Sequence, residues 1–168
     1  MKLYTLKRRQ LIRKPMHEVS SFFLKPENLE LLTPKNLGFH ILTPLPIKMK
    51  EGAIIDYVMK IAGLPVRWTT MITCYEPPYR FVDLQLKGPY SYWHHTHTFS
   101  ETDDGTIIID EVQYSLPFGV LGRCAHGIFV RRQLESIFEL RARTIEGIFV
   151  GEDIKLHRHI STKKVESL

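Results

Sequence analysis

Cysteine is scarce in this chain: Cys74 and Cys124 are the only two in 168 residues. Two thiols make no disulfide framework, so the expected setting is a reducing cytoplasm. Long apolar runs are missing as well. Charges interrupt every hydrophobic stretch well before about 18 residues, so no segment reads as a spanning helix. The start, MKLYTLKRRQLIRKP, has no continuous apolar stretch behind its charges, which argues against a secretory signal. Nucleotide-binding and nucleophile motifs are absent too. No GxGxxG, no GxxxxGK loop and no GxSxG occurs. Acid is missing from the first seventeen residues. Lys2, Lys7, Arg8, Arg9, Arg13 and Lys14 all precede Glu18, and this cluster accounts for the net charge of +5. It reads as the solvated face of a first strand, with weak membrane-surface contact as a further expectation. Basic residues interleaved with aromatics do not recur downstream, so no nucleic-acid partner is expected.

What remains is an ordinary globular composition, 43% hydrophobic and 24% charged. The length suits one domain, expected over residues 1–149. Residues 150–168 have weak periodicity and are expected to form a mobile tail. Residues 3–13 read as a strand. Pro15 suits a helix start, because proline lacks an N–H that the first turn leaves unpaired. Val19, Phe22 and Phe23 follow at helical spacing, and a second short helix is expected to end near Pro34.

The period then changes to two. LGFHILTPLPIKM reads as an edge strand weakened by Pro44 and Pro46. AIIDYVMKIA, VRWTTMITCYE, RFVDLQLK, SYWHHTHTF and TIIIDEVQYSL follow, separated by Gly- and Pro-containing turns. Connections this short require antiparallel strands. Residues 121–149 then read as a long helix with an apolar stripe that includes Leu121, Cys124, Ile128, Leu134, Ile137, Phe138, Ile145 and Ile148. Arg131, Arg132, Glu135, Glu139, Arg141 and Arg143 are expected mostly on its wet face. A twisted seven-stranded sheet can curl around one long helix and leave a ligand-sized hollow between them.

Three of the eight histidines lie in YWHHTHTFS, residues 92–100. Alternation puts Trp93, His95, His97 and Phe99 on one strand face. The next strand offers Asp110, Val112 and Tyr114 on one face and Glu111 on the other. Burying Glu111 unpaired is costly, so the Asp110 set is expected inward. With ETDDG as the loop, Phe99 falls opposite Thr106 and His95 opposite Asp110, about 5 Å apart. A His–Asp hydrogen bond is then in reach. Upstream, Tyr57 and the Trp68, Thr70 and Ile72 face extend the same wall.

The stretches FFLKPENLELLTP, LTPLPIKMKEGAIIDYVMKIAGLPVRW, FVDLQLKGPYSYWHHTHTF and DEVQYSLPFGVLG carry a family likeness. Over about residues 4–149 the chain resembles the START-like, birch-pollen-allergen-like superfamily, also called SRPBCC or polyketide cyclase-like. The likeness is greatest to its uncharacterised bacterial ligand-binding branch. The resemblance implies an α+β helix-grip fold, a curved seven-stranded antiparallel sheet wrapped around a long C-terminal helix. It supplies no catalytic motif, and the superfamily's functions range from lipid carriage to cyclisation. It also favours Asp83 and Gln85 as cavity residues, where apolarity alone would bury Val82, Leu84 and Leu86.

The expected lining is therefore Tyr57, Trp68, Thr70, Asp83, Gln85, Trp93, His95, His97, Phe99, Asp110 and Tyr114, with Phe118 or Leu121 closing the entrance. Three chemistries compete for it. His95 and His97 have metal-ligand chemistry with Asp110 as a possible third donor, but no Cys, third His or HExxH helix completes a set, so no metal and no cofactor is expected. His95, His97 and Asp110 are candidates for acid–base catalysis of the cyclase, dehydratase or hydrolase type. The favoured reading is a binding protein for an apolar or amphipathic small molecule such as a lipid, quinone, isoprenoid or polyketide-like compound. An interaction module using the basic first strand is the third alternative. Both cysteines are expected to be buried structural thiols.

Overall fold

A computed structural model describes residues 2–61, 63–120, 122 and 126–165, beyond 151 by backbone alone. The chain starts with strand β1 (Tyr4–Ile12) and passes into helix α1 (Met16–Phe23) directly after Pro15. The short helix α2 (Leu29–Leu32) follows a single 3-10 turn. Six more strands come next: β2 (His40–Ile41), β3 (Ile54–Ile61), β4 (Leu64–Glu76), β5 (Arg80–Lys87), β6 (Tyr92–Thr102) and β7 (Gly105–Ser115). A π-helical turn (His126–Val130) leads into the long helix α3 (Arg131–Val165). Among the described residues, no helix is long and apolar enough to cross a membrane.

The seven strands form one curved antiparallel sheet in the order β1-β7-β6-β5-β4-β3-β2. The order follows from turn length. β3 through β7 are joined by short turns, so each pairs with its successor. β1 then pairs with β7, with Tyr4 opposite Tyr114 and Ile12 opposite Thr106. β2 shrinks to two residues because Pro44 and Pro46 cannot donate to a ladder. On β1 the basic side chains Arg8 and Arg9 are exposed, and Lys7 pairs with Glu111 across the outer face at 3.1 Å. The basic side chains of β1 are solvated as expected, though Arg8 and Arg9 project to opposite faces of the strand.

The β6–β7 register departs from expectation by two residues. His97, rather than His95, lies opposite Asp110, and Phe99 lies opposite Ile108. The loop is only Asp103-Asp104, with Thr102 paired to Gly105, so both strands run further into ETDDG than a five-residue loop allows. Gly105 has φ 131°, and a Cβ there would collide with the Ile12 carbonyl oxygen of β1. Only glycine combines that backbone with that close approach. A shift of two keeps every side chain on its expected face, because strand faces repeat every second residue.

The concave face carries the core. Phe99, Ile108, Val112, Ile72 and Tyr114 are each no more than 2% exposed. Helix α3 covers this face with Leu134, Phe138, Ile145 and Phe149. Two expectations for the helix fail. Ile128 is 75% exposed, because the π-helical turn rotates it off the stripe. Arg141 is buried, because it sits in phase with Leu134, Phe138 and Ile145 at steps of four, three and four. Its neighbours Glu139 and Arg143 do face water and pair with each other at 3.0 Å. Leu121 and Cys124 lie outside the described residues, and Cys74 is half-buried rather than enclosed.

Candidate ligand cavity and its buried charge cluster

A cavity of about 200 Å³ lies between the sheet, α3 and the short helices. Trp68, Thr70 and Tyr57 form its wall on β3 and β4, and Asp83, Trp93, His95 and His97 continue it across β5 and β6. Leu134, Phe138 and Arg141 face them from α3, and Phe22 and Phe23 from α1. Tyr57 lies opposite Trp68 in the β3–β4 ladder, and the rings stack 5.8 Å apart. Trp68 meets Trp93 edge-on at 5.3 Å. This end of the cavity is aromatic because these ladder neighbours all point to the concave face.

The adjoining stretch is charged, beginning with the His95 ring 6.4 Å from Trp93. His95 Nε2 lies 3.0 Å from Asp110 Oδ1, and His97 Nε2 lies 3.0 Å from Asp83 Oδ2. The pairing is crossed. In the ladders His95 is opposite Asp83 and His97 is opposite Asp110, yet each ring bonds to the diagonal carboxylate. Diagonal neighbours are within reach of long or aromatic side chains. His97 is held by stacking on Phe81, 4.0 Å away with a 15° tilt. Its Nδ1 approaches Asp110 Oδ1 to 2.8 Å but out of line for a hydrogen bond, so this contact is chiefly electrostatic. The Thr70 hydroxyl donates to the Leu84 carbonyl at 3.1 Å and sits 3.4 Å from Asp83 Oδ1.

Arg141 supplies the compensating charge from α3. Its Nη2 lies 3.9 Å from Asp110 Oδ1, and its guanidinium sits over the rings of Phe23 and Phe138 at 5.5 and 5.9 Å. Burial would raise the Asp110 carboxyl, but the Arg141 charge and the two histidines hold it well below the usual carboxylate range. Asp83 is likewise kept low against its burial, chiefly by the His97 hydrogen bond and the His95 charge. Burial and the neighbouring His97 charge push His95 down, toward the neutral form. Burial also disfavours charge on His97, but Asp110 and Asp83 outweigh it and hold it up. The Arg141 charge and the upward shift of His97 both work to offset the two buried carboxylates.

One ligand atom each from Asp83, His95 and His97 lie within 4.8 Å of one another, a donor set that would suit a metal ion. A cation there has to displace the His97–Asp83 hydrogen bond and sit beside the Arg141 charge. The hydrogen-bonded cluster with Arg141 already engages these residues.

Of the residues expected in the lining, Tyr57, Trp68, Thr70, Asp83, Trp93, His95 and His97 meet at the cavity. Five others do not. Asp110 sits against the imidazoles and Arg141 without reaching the cavity surface. Phe99 lies further along β6 and packs on Phe23 at 5.3 Å as solid core. Tyr114 is drawn toward β1 and Tyr4, 5.6 Å away. Gln85 shares the Asp83 face but turns its amide to the next loop, donating to the Tyr90 carbonyl at 2.7 Å. Phe118 follows the end of β7 at φ 67° and is 81% exposed, so it closes nothing. Leu121, the other residue expected at the entrance, is outside the described residues.

Sequence reasoning missed Arg141 and Tyr90. Arg141 had a signal, since it takes a place on the apolar stripe where a hydrophobe was due. Tyr90 had none. It stands in the β5–β6 turn and reaches the cavity because Gln85 ties that turn down, and it packs on Trp93 at 4.7 Å.

Solved structures share this fold. The structure of TTHA0849 from Thermus thermophilus superposes with a TM-score of 0.71 at 15% identity, covering 89% of this chain and 99% of that one. The chain has the helix-grip fold. The protein CV1439 from Chromobacterium violaceum shares the fold at a TM-score of 0.67 and 14% identity, over 86% and 96% of the two chains. Ara h 8.0201 shares it at 0.62 and 12%, over 89% and 99%. At these identities the likeness is one of fold alone. No family model and no curated protein matches the chain. The helix-grip fold therefore accounts for a hollow between sheet and helix, and the side chains lining it are this chain's own.

Proposed function

We propose that the protein binds an amphipathic small molecule in the hollow between its sheet and α3. The observation that carries this reading is a cavity whose wall joins an aromatic patch to a buried charged cluster. Trp68, Trp93 and Phe138 supply flat apolar surface, worth about 25 cal/mol per Å² of apolar area removed from water. Asp83, His95, His97 and Arg141 orient the polar end. Its volume favours a compact ligand, since sites for drug-sized molecules are roughly 300–1,000 Å³. A quinone headgroup, a short isoprenoid or a fused-ring polyketide suits it better than a two-chain lipid.

Native mass spectrometry of freshly purified protein, followed by organic extraction, tests the reading. A stoichiometric bound compound is expected. Persistent absence of one, with no binding across a lipid and quinone panel, would overturn it.

One observation favours a second reading. His95 is kept neutral beside Asp110 and faces the cavity, which is the arrangement of a general base oriented by a carboxylate. An enzyme of the cyclase or dehydratase type loses turnover by orders of magnitude in His95→Ala with modest change in KM. A carrier shows only altered affinity.

A further inference from the structure

Three nitrogens in the cavity wall have no hydrogen-bond partner among the described residues; His97 Nδ1 at least lies against the Asp110 carboxylate, which leaves two donors, on Arg141 and Trp68, facing no acceptor. Arg141 is nine-tenths buried, and its Nε is one of them. Asp110 Oδ1, the carboxylate oxygen that faces its Nη2, is beyond hydrogen-bond range at 3.9 Å. Trp68 is 4% exposed, and its Nε1 is likewise unpaired. Both residues line the cavity. An unpaired donor taken out of water is destabilising, and arginine cannot shed its charge. The nearby acids are already engaged, Asp110 with His95 and Asp83 with His97. Packing over Phe23 and Phe138 fixes the guanidinium in place without using its N–H groups.

We infer that the ligand is an organic acid, a flat apolar body bearing a carboxylate or an acidic enol or phenol whose anionic oxygen pairs with Arg141. This rests on the ligand-binding reading above and narrows its chemistry. The unpaired Trp68 Nε1–H calls for an oxygen acceptor elsewhere on the same molecule. Arginine suits this role better than lysine, because its planar fork meets two oxygens at once and tolerates aromatic neighbours. Neutral apolar compounds leave both donors unsatisfied, so the cavity discriminates against them.

The test compares 2-naphthoic acid with 2-naphthylmethanol, two compounds of like shape that differ in charge. Calorimetry at pH 7.5 reads the affinities for the full chain. The acid is expected to bind at least about tenfold tighter than the alcohol. In Arg141→Gln the preference for the acid over the alcohol disappears. Arg141→Lys keeps the charge if the glutamine variant does not fold, and retains part of the preference. Equal affinities in the wild-type protein, or a preference that persists in Arg141→Gln, overturn the inference and leave ligand binding standing. Failure of both compounds to bind removes the ligand-binding reading along with it.

Discussion

The imidazoles of His95 and His97 stand 3.7 Å apart, centroid to centroid, and their surroundings move their proton affinities in opposite directions. Two like charges that close in a buried site are mutually costly, so the two rings are driven apart in proton affinity. Both rings contact both carboxylates, but His97 is held up by its contacts to Asp110 and Asp83, while burial and the His97 charge push His95 down.

Proton-detected NMR of the imidazole ring carbons should therefore show two buried histidines bracketing the free value of about 6.5. His97 is expected to remain protonated above it and His95 neutral below it. The linkage signs follow. The contribution of His97 to stability is fully present below about pH 6.5 and is lost as pH rises through its folded value. That of His95 is present above about pH 6.5 and is lost as pH falls through its own. Substituting His97→Gln should cost more stability at pH 5.5 than at pH 8.5. An equal cost at both would contradict the assignment.

Asp110 anchors the cluster from behind. Replacing it by Asn leaves Arg141 buried without its carboxylate, and breaking a buried charge pair costs about 3–5 kcal/mol. Urea unfolding at pH 7 should show a loss of about 3 kcal/mol for Asp110→Asn, and a smaller one for the more exposed Asp83→Asn. The carboxyl is held low in the folded state. Its contribution is therefore present above about pH 4 and is lost as pH falls through the folded value. The variant's acid limb should be flatter than the wild type's. A loss of under about 0.5 kcal/mol in Asp110→Asn would contradict this anchoring role.

Phe99 shares a strand face with the cavity residues but belongs to the solid core. Phe99→Ala should cost about 3–5 kcal/mol in denaturant unfolding. Phe138→Ala removes a ring that borders both the cavity and the guanidinium, so it should also weaken binding of an extracted ligand. Comparable affinity losses in both variants would mean that the cavity reaches Phe99.

Gly105 sets the β6–β7 hairpin. Gly105→Ala forces a side chain into left-handed backbone and against β1. It should lower stability by more than about 1 kcal/mol. Gly52 also has positive φ but has open space around it, so Gly52→Ala should be milder. Chemical denaturation of the two variants compares steric closeness with backbone strain alone.

Much of the fold was legible because periodicity and turn chemistry are local. Pro15, Glu51-Gly52, Pro77-Pro78 and Gly88-Pro89 punctuate the chain where elements begin and end, and the change from helical to alternating spacing marks the sheet. The register was less legible. Aspartates 103 and 104 could sit inside either a two-residue or a five-residue loop, and the strand pattern accepts both. The contact of Gly105 with β1, more than ninety residues away in sequence, chooses between them.

The amino-acid order by itself determined that His95 and His97 point with Trp93 and Phe99 and that Asp110 points with Val112. Strand alternation is a property of the backbone and survives a shift of two residues. Tertiary structure decided which carboxylate meets which imidazole, because diagonal contacts depend on register and on ring stacking with Phe81. It also decided that Arg141 leaves water for the cavity wall and that Gln85, Tyr114 and Phe118 do not line it. Those outcomes depend on what the curved sheet and α3 place opposite one another, and no local pattern along the chain encodes that distance.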